Sequence, residues 1–172
     1  MAAILTLPDV NRMGPPDFRA ALGGVFEHSP WIAERAWAAR PFPSVEALHA
    51  AMVRAVRDAS REEQLALLRA HPDLADRAAR GAPLSAASLA EQSSVGLDRL
   101  TDAEYQRFGR LNAAYRAKFG FPFIIAVRKH DKTAILAAFE RRLQNTVEEE
   151  IEAALTQVCD ITRLRLDALV KA

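Results

Sequence analysis

The sequence predicts an all-α protein, folded as a single compact domain of roughly eight helices. Three observations predict it. Apolar residues recur at three- and four-residue spacing through most of the chain. Three Ser/Thr-x-x-Glu patterns (Ser60/Glu63, Thr101/Glu104 and Thr146/Glu149) stand where periodic stretches begin. Prolines and glycines fall mainly between those stretches rather than within them. With 172 residues, half of them hydrophobic, the chain can bury one independent core, so one domain is expected across residues 1–172.

Each element has its own justification. After Pro15-Pro16-Asp17, the residues Phe18, Leu22, Val25 and Phe26 share one helical face. Ser29-Pro30 suits an N-cap followed by the first helical position, for a helix carrying Trp31 and Trp37. Two prolines in "ARPFPS" end it, and Ser44 can cap a helix with Val45, Leu48, Met52 and Val56 inward. The Ser60 box opens a helix bringing Leu65 and Leu68 up to His71. "PDLADRAAR" reads as a further short helix with Pro72 at its start and Gly81 closing it. The Thr101 box opens a helix with Tyr105, Phe108, Leu111 and Tyr115 on one stripe. Ile135, Leu136, Phe139 and Leu143 mark another helix, and the Thr146 box opens the last, with Ile151, Leu155, Val158 and Ile161 inward.

Two stretches resist this pattern. Residues 81–100 begin with stop signals, turn helix-like, then meet Gly96. "FGFPFIIAVR", residues 119–128, sets Gly120 and Pro122 before β-branched Ile124 and Ile125, and reads as an extended apolar connector.

Composition excludes several classes. Formal net charge is +1, from 23 basic and 22 acidic residues, and no run of like charge exceeds Glu148–Glu150. This gives no electrostatic reason to expect nucleic acid or an anionic membrane as partner. No apolar run is long enough to span a bilayer. One cysteine, Cys159, forbids an intrachain disulfide and reads as a packing residue. Neither CxxC nor HExxH is present, so no metal site is expected. The opening "MAAILTLPDV" lacks the basic region of a signal peptide, and a cytoplasmic protein is the expectation.

Three features can carry chemistry. His71 precedes a proline, which pushes it out of helical geometry at a sharp join. An imidazole projecting from such a join suits proton transfer, although a capping histidine would look the same. In "SLAEQ", Ser88, Glu91 and Gln92 stand at i, i+3 and i+4, so a hydroxyl, a carboxylate and an amide share one face of a helix. They could read the polar edges of a small heterocycle, or simply be a solvated face. The connector Phe123, Ile124, Ile125, Ala126 and Val127 can offer bare backbone N–H and C=O groups to a ligand. Arg128 at its end is a cation for that ligand or for a structural ion pair. His28, His49 and His130 lack comparable company.

Together, "FEHSPWIAERA", "RPF", "AHPDLA", "SLAEQSSVGLDRL" and "FGFPFIIAVR" resemble the 2-oxo-4-hydroxy-4-carboxy-5-ureidoimidazoline (OHCU) decarboxylases, from about Leu7 to Val170. The resemblance implies an all-helical, usually dimeric, cofactor-free enzyme. It would convert OHCU to (S)-allantoin in urate catabolism, downstream of urate oxidase and hydroxyisourate hydrolase. It implies that His71 is the general acid/base and Glu91 the catalytic glutamate. Pro72, Ser88, Gln92 and the backbone of Phe123 to Val127 would bind substrate, with Arg128 beside them. One departure is Ser94-Val95, where many members carry Gly-Ala, which would tighten the pocket wall near Glu91. Two other readings are a non-catalytic helical module that binds a partner protein and a metal-dependent lyase using His71 and Glu91. Allantoin-induced thermal stabilisation tests the first, and activity in EDTA the second.

Overall fold

Helix starts are specified by side chains that satisfy the first exposed amides. In the computed structural model, which describes residues 3–76 and 83–172, Ser44 Oγ accepts the Ala47 N–H at 3.0 Å and opens the helix Val45–Arg57. All three expected boxes close in both directions. Ser60 Oγ accepts Glu63 N–H at 3.1 Å, while Glu63 accepts the Ser60 N–H at 3.0 Å. Thr101 and Glu104 do the same at 3.2 and 3.0 Å, and Thr146 and Glu149 at 3.2 and 2.8 Å.

The described residues form nine α-helices: α1 Leu7–Arg12, α2 Pro15–Leu22, α3 Trp31–Ala36, α4 Val45–Arg57, α5 Arg61–Arg69, α6 Ala86–Ser94, α7 Asp102–Phe119, α8 Lys132–Arg142 and α9 Val147–Leu169. Single 3-10 turns lie at Trp37–Ala39 and Val127–Lys129. The sequence pattern does not announce the one pair of strands seen among the described residues, β1 Leu5–Thr6 and β2 Val170–Lys171, which run parallel with Leu5 opposite Val170. The protein is all-α, and none of the described helices is long and apolar enough to cross a membrane.

Two compact units divide the chain, with boundaries inside α5 and α9. The first comprises Met1–Leu67 and Cys159–Ala172. Phe18, Leu22, Val25, Phe26, Leu48, Met52 and Val56 are buried there, as their spacing requires. A buried ion pair ties its last segment to the turn after α2. Arg165 meets Glu27 at 2.9 Å and donates to the Val25 carbonyl at 3.1 Å. His49 on α4 lies 3.0 Å from the Thr162 hydroxyl, and burial holds its pKa below the usual histidine value. Ser29 departs from its expected role. Its hydroxyl donates to the Glu27 carbonyl, and α3 begins only after Pro30.

The second unit, Leu68–Val158, is built round aromatic rings. Tyr115 lies within 4.5–5.9 Å, centroid to centroid, of Phe119, Phe121, Phe123 and Phe139, and Phe123 stacks on Phe139 at 3.9 Å. The inward stripe of α7 is Phe108, Asn112, Tyr115 and Phe119. It differs from the expected Tyr105–Phe108–Leu111–Tyr115, because the polar Asn112 takes the place next to Tyr115 while Tyr105 and Leu111 are only half-buried. Gly96 and Gly120 both adopt φ +78°, in the left-handed region that ends a helix at low cost.

Thr101 is exposed, so its capping role can be tested without disturbing the core. Thr101→Ala should lower the unfolding free energy by about 1 kcal/mol, whereas Thr101→Ser should stay near the parent. Urea unfolding at neutral pH checks both.

Candidate active site

His71 is placed by the end of α5. Its N–H donates to the Leu68 carbonyl at 3.2 Å, closing a last turn, and Pro72 prevents the helix from continuing. His71 is 4% exposed. The helix expected over "PDLADRAAR" does not form where it is described. Pro72 to Asp76 make a turn, Ala75 has φ +56°, and residues 77–82 lie outside the described residues.

Side chains from two helices explain that difference, because they capture the backbone groups a helix would have used. Gln92 on α6 accepts the Ala75 N–H at 2.9 Å and donates to the Asp73 carbonyl at 3.4 Å. Asn112 on α7 donates to the Leu74 carbonyl at 2.8 Å. One turn further along α7, Arg116 Nε donates to both oxygens of Asp73, at 2.8 and 3.1 Å. The segment after His71 is therefore held at Asp73, Leu74 and Ala75. Asp73 is buried, and burial raises its pKa above the ordinary carboxylate value in spite of Arg116 beside it.

The polar face expected on "SLAEQ" exists. Ser85 caps α6 by accepting the Ser88 N–H at 3.1 Å. Ser88 and Gln92 are buried, and Glu91 is half-buried. Gln92 directs both ends of its amide to the His71 turn, a role that its spacing alone does not reveal.

The expected connector also exists. Residues 121–126 form neither helix nor strand, and Phe123, Ile124, Ile125, Ala126 and Val127 are all at most 6% exposed. Arg142 on α8 donates to the Ile124 carbonyl at 2.6 Å. Gln157 on α9 accepts the Ala126 N–H at 3.0 Å. The Arg142 guanidinium lies 4.4 Å from the centre of the Phe123 ring, and its Nε donates to Glu150 at 2.6 Å. Glu150, fully buried, also accepts from Tyr115 Oη at 2.6 Å and Asn145 Nδ2 at 2.9 Å. Burial and that carboxylate push the Tyr115 phenol well above its usual pKa, so it stays a donor. Arg128 is exposed at the far end of the connector.

These stretches come together in the second unit. Gln92 joins α6 to the His71 turn, and α6 packs against the 3-10 turn Val127–Lys129. Arg69, two residues before His71, donates to the Gly120 carbonyl at the start of the connector, at 3.2 Å. His28 and His49 belong to the first unit, and His130 directly succeeds the 3-10 turn. Sequence reasoning missed Asn112, Arg116, Arg142, Glu150 and Gln157. For Asn112, Arg142 and Glu150 the one signal was a polar or charged residue at an inward position of an amphipathic helix, and half-buried Arg116 and Gln157 carried none.

The second unit of this all-helical protein thus holds a buried histidine, a polar helix face and a buried apolar connector that is neither helix nor strand. The chain belongs to the OHCU decarboxylase family, whose description matches residues 11–167. It is 51% identical over 162 residues to the 2-oxo-4-hydroxy-4-carboxy-5-ureidoimidazoline decarboxylase of Haloferax volcanii, covering 94% of each chain. It is 45% identical over 165 residues to the protein of the same name from Halalkalicoccus jeotgali, covering 96% of this chain and 92% of that one. Among solved structures it resembles an (S)-allantoin synthase, with a TM-score of 0.75 and 36% identity, covering 96% of this chain and 54% of that one.

The raised pKa of Asp73 has a defined linkage sign. Between the unfolded and folded pKa values the folded state binds more protons, so this group's contribution to stability falls as pH rises through that window. The stability of the wild type relative to Asp73→Asn should therefore be greatest in acid and decline to a plateau above the raised pKa. Urea unfolding of both proteins at stepped pH measures it. A difference growing with pH would mean that Arg116 outweighs desolvation.

Proposed function

We propose that the protein decarboxylates OHCU to (S)-allantoin, with His71 as general acid/base. The observation that carries this reading is the placement of His71. It is buried at a helix end, on a turn locked by Gln92, Asn112 and Arg116, in the unit that also holds Glu91 and the connector. The activity itself is supported by family membership and by relatives of matching length.

The chemistry sets a short list of demands. Cleavage of the carbon–carboxylate bond releases CO2 and leaves an electron pair. The adjacent ring C=N bond takes it: a C=C bond forms between the two ring carbons, and the ring nitrogen gains a proton. The resulting enol then takes a proton on the ureido-bearing carbon, while its hydroxyl loses one to become the carbonyl of allantoin. The substrate supplies the electron sink. The protein has to orient the carboxylate out of the ring plane and deliver a proton to one face.

His71 delivers that proton, and its fixed turn gives the product its handedness. Glu91 holds the substrate hydroxyl or ureido group. Ser88, Gln92, Pro72 and the backbone of Phe123 to Val127 bind the ring, and Gln92 also acts on the same site through the His71 turn. The apolar wall of Phe and Ile favours spreading of charge in the transition state. A cation clasping the carboxylate would instead favour the ground state, where charge is localised. Arg128, exposed, accordingly anchors another part of the substrate or the loop itself. Residues 1–172 serve as one functional domain, which the match over residues 11–167 supports. The wider setting we propose is cytoplasmic urate breakdown after urate oxidase and hydroxyisourate hydrolase, by a homodimer, which sedimentation velocity would test.

Circular dichroism during urate breakdown by those two enzymes tests the activity. Added protein should produce a rapid and lasting (S)-allantoin signal, whereas unaided decay gives racemic product. His71→Asn should lower kcat/KM at least a hundredfold, about 3 kcal/mol in barrier. Unchanged turnover in that variant would remove His71 from the chemistry. Glu91→Gln keeps the hydrogen-bonding shape and removes the charge. It should depress kcat by roughly ten- to a hundredfold if the charge serves proton transfer, and mainly raise KM if it only holds substrate.

A further inference from the structure

We infer that Gln157 and Arg142 are positioning residues, which orient the Ile125 main chain so that its N–H and C=O recognise the ureide face of the substrate. This rests on the proposed function.

Peptide planarity fixes where these groups point. The bonds joining Ile124 to Ile125 and Ile125 to Ala126 are trans, so in each the C=O and N–H point in opposite directions. Arg142 holds the Ile124 carbonyl at 2.6 Å, so the Ile125 N–H points away from Arg142. Gln157 holds the Ala126 N–H at 3.0 Å, so the Ile125 carbonyl points away from Gln157. Two consecutive peptides are thus pinned from α8 and α9, and the groups they turn outward both belong to Ile125. Neither of those groups bonds to another described residue, although Ile125 is only 6% exposed. Buried backbone groups are rarely left without partners, so a donor and an acceptor flanking one Cα point to a ligand. A ureide carries the complementary groups side by side, an N–H next to a C=O.

The anchors are built to resist rotation. Arg142 donates to Glu150 as well as to Ile124, and its guanidinium faces the Phe123 ring, which is itself stacked on Phe139. A buried ion pair of this kind is weak evidence for stability. Its distinctive product here is a fixed carbonyl in a segment that has no sheet partner among the described residues.

Gln157 is the better residue to test, being half-buried and outside the ion pair. Gln157→Met removes the acceptor at similar volume, and Gln157→Glu keeps it. Gln157→Met should raise KM for OHCU and Kd for (S)-allantoin about tenfold, with kcat within about twofold, because substrate and product lose the same hydrogen bonds. Gln157→Glu should restore both constants. Independently of any variant, the Ile125 amide resonance of the wild type should shift on addition of (S)-allantoin. If the wild type turns over OHCU while its Ile125 amide stays still, or while folded Gln157→Met binds like the parent, this inference fails and the function stands. A wild type that leaves OHCU unconsumed overturns both.

Discussion

Buried backbone that is neither helix nor sheet is the constraint on which the second unit depends. Helices satisfy their own amides and carbonyls. The turn at Asp73–Ala75 and the connector at Phe121–Ala126 do not, yet both are buried. A buried peptide group left without a partner costs about 1–3 kcal/mol, so these segments can exist only if helices lend side chains to them. Gln92 and Asn112 serve the turn, and Arg142 and Gln157 serve the connector. The same device recurs in the first unit, where Arg165 pairs with buried Glu27 and donates to the Val25 carbonyl. An arginine suits this task because its planar fork binds a carboxylate and a carbonyl together.

Helices and loops consequently divide the labour. The helices pack an aromatic and aliphatic core. The two irregular segments carry the histidine and the bare main-chain groups, which are the parts a ligand can use. Preorganisation comes from side-chain clamps rather than from loop sequence, so the groups that matter for positioning lie on α6, α7, α8 and α9. An active site built this way loses little conformational entropy when substrate binds, because the non-helical backbone is already fixed.

Much of this architecture is legible in the sequence. The helix starts marked by capping boxes are, because such a box is a local motif whose two hydrogen bonds need only four residues, and all three form. The connector is, because Gly120 and Pro122 oppose a helix whatever the tertiary context. The turn after His71 is not. "PDLAD" has the composition of a helix start, and side chains far away in sequence, Gln92, Asn112 and Arg116, divert its backbone. The expected stripe on α7 differs from the observed one for the same reason: Asn112 is inward not for its hydropathy but for the carbonyl it serves. Long-range satisfaction of backbone groups leaves no periodic mark, so side chains acting through it escape a reading based on pattern.

The pairing of Glu150 with Arg142 shows why such residues resist simple substitution. Glu150 is fully buried and accepts from Tyr115, Asn145 and Arg142. Removing Arg142 alone would leave that carboxylate in an apolar aromatic shell, short of its countercharge, and would release the Ile124 carbonyl at the same time. Removing Glu150 alone would strand the guanidinium. The pair is therefore retained or lost as a unit, and with it goes the orientation of the connector. If the connector binds substrate as proposed, stability and ligand recognition are coupled through one backbone carbonyl, so a variant that keeps the fold while altering recognition has to be sought at the edge of the network, at Gln157, rather than at its centre.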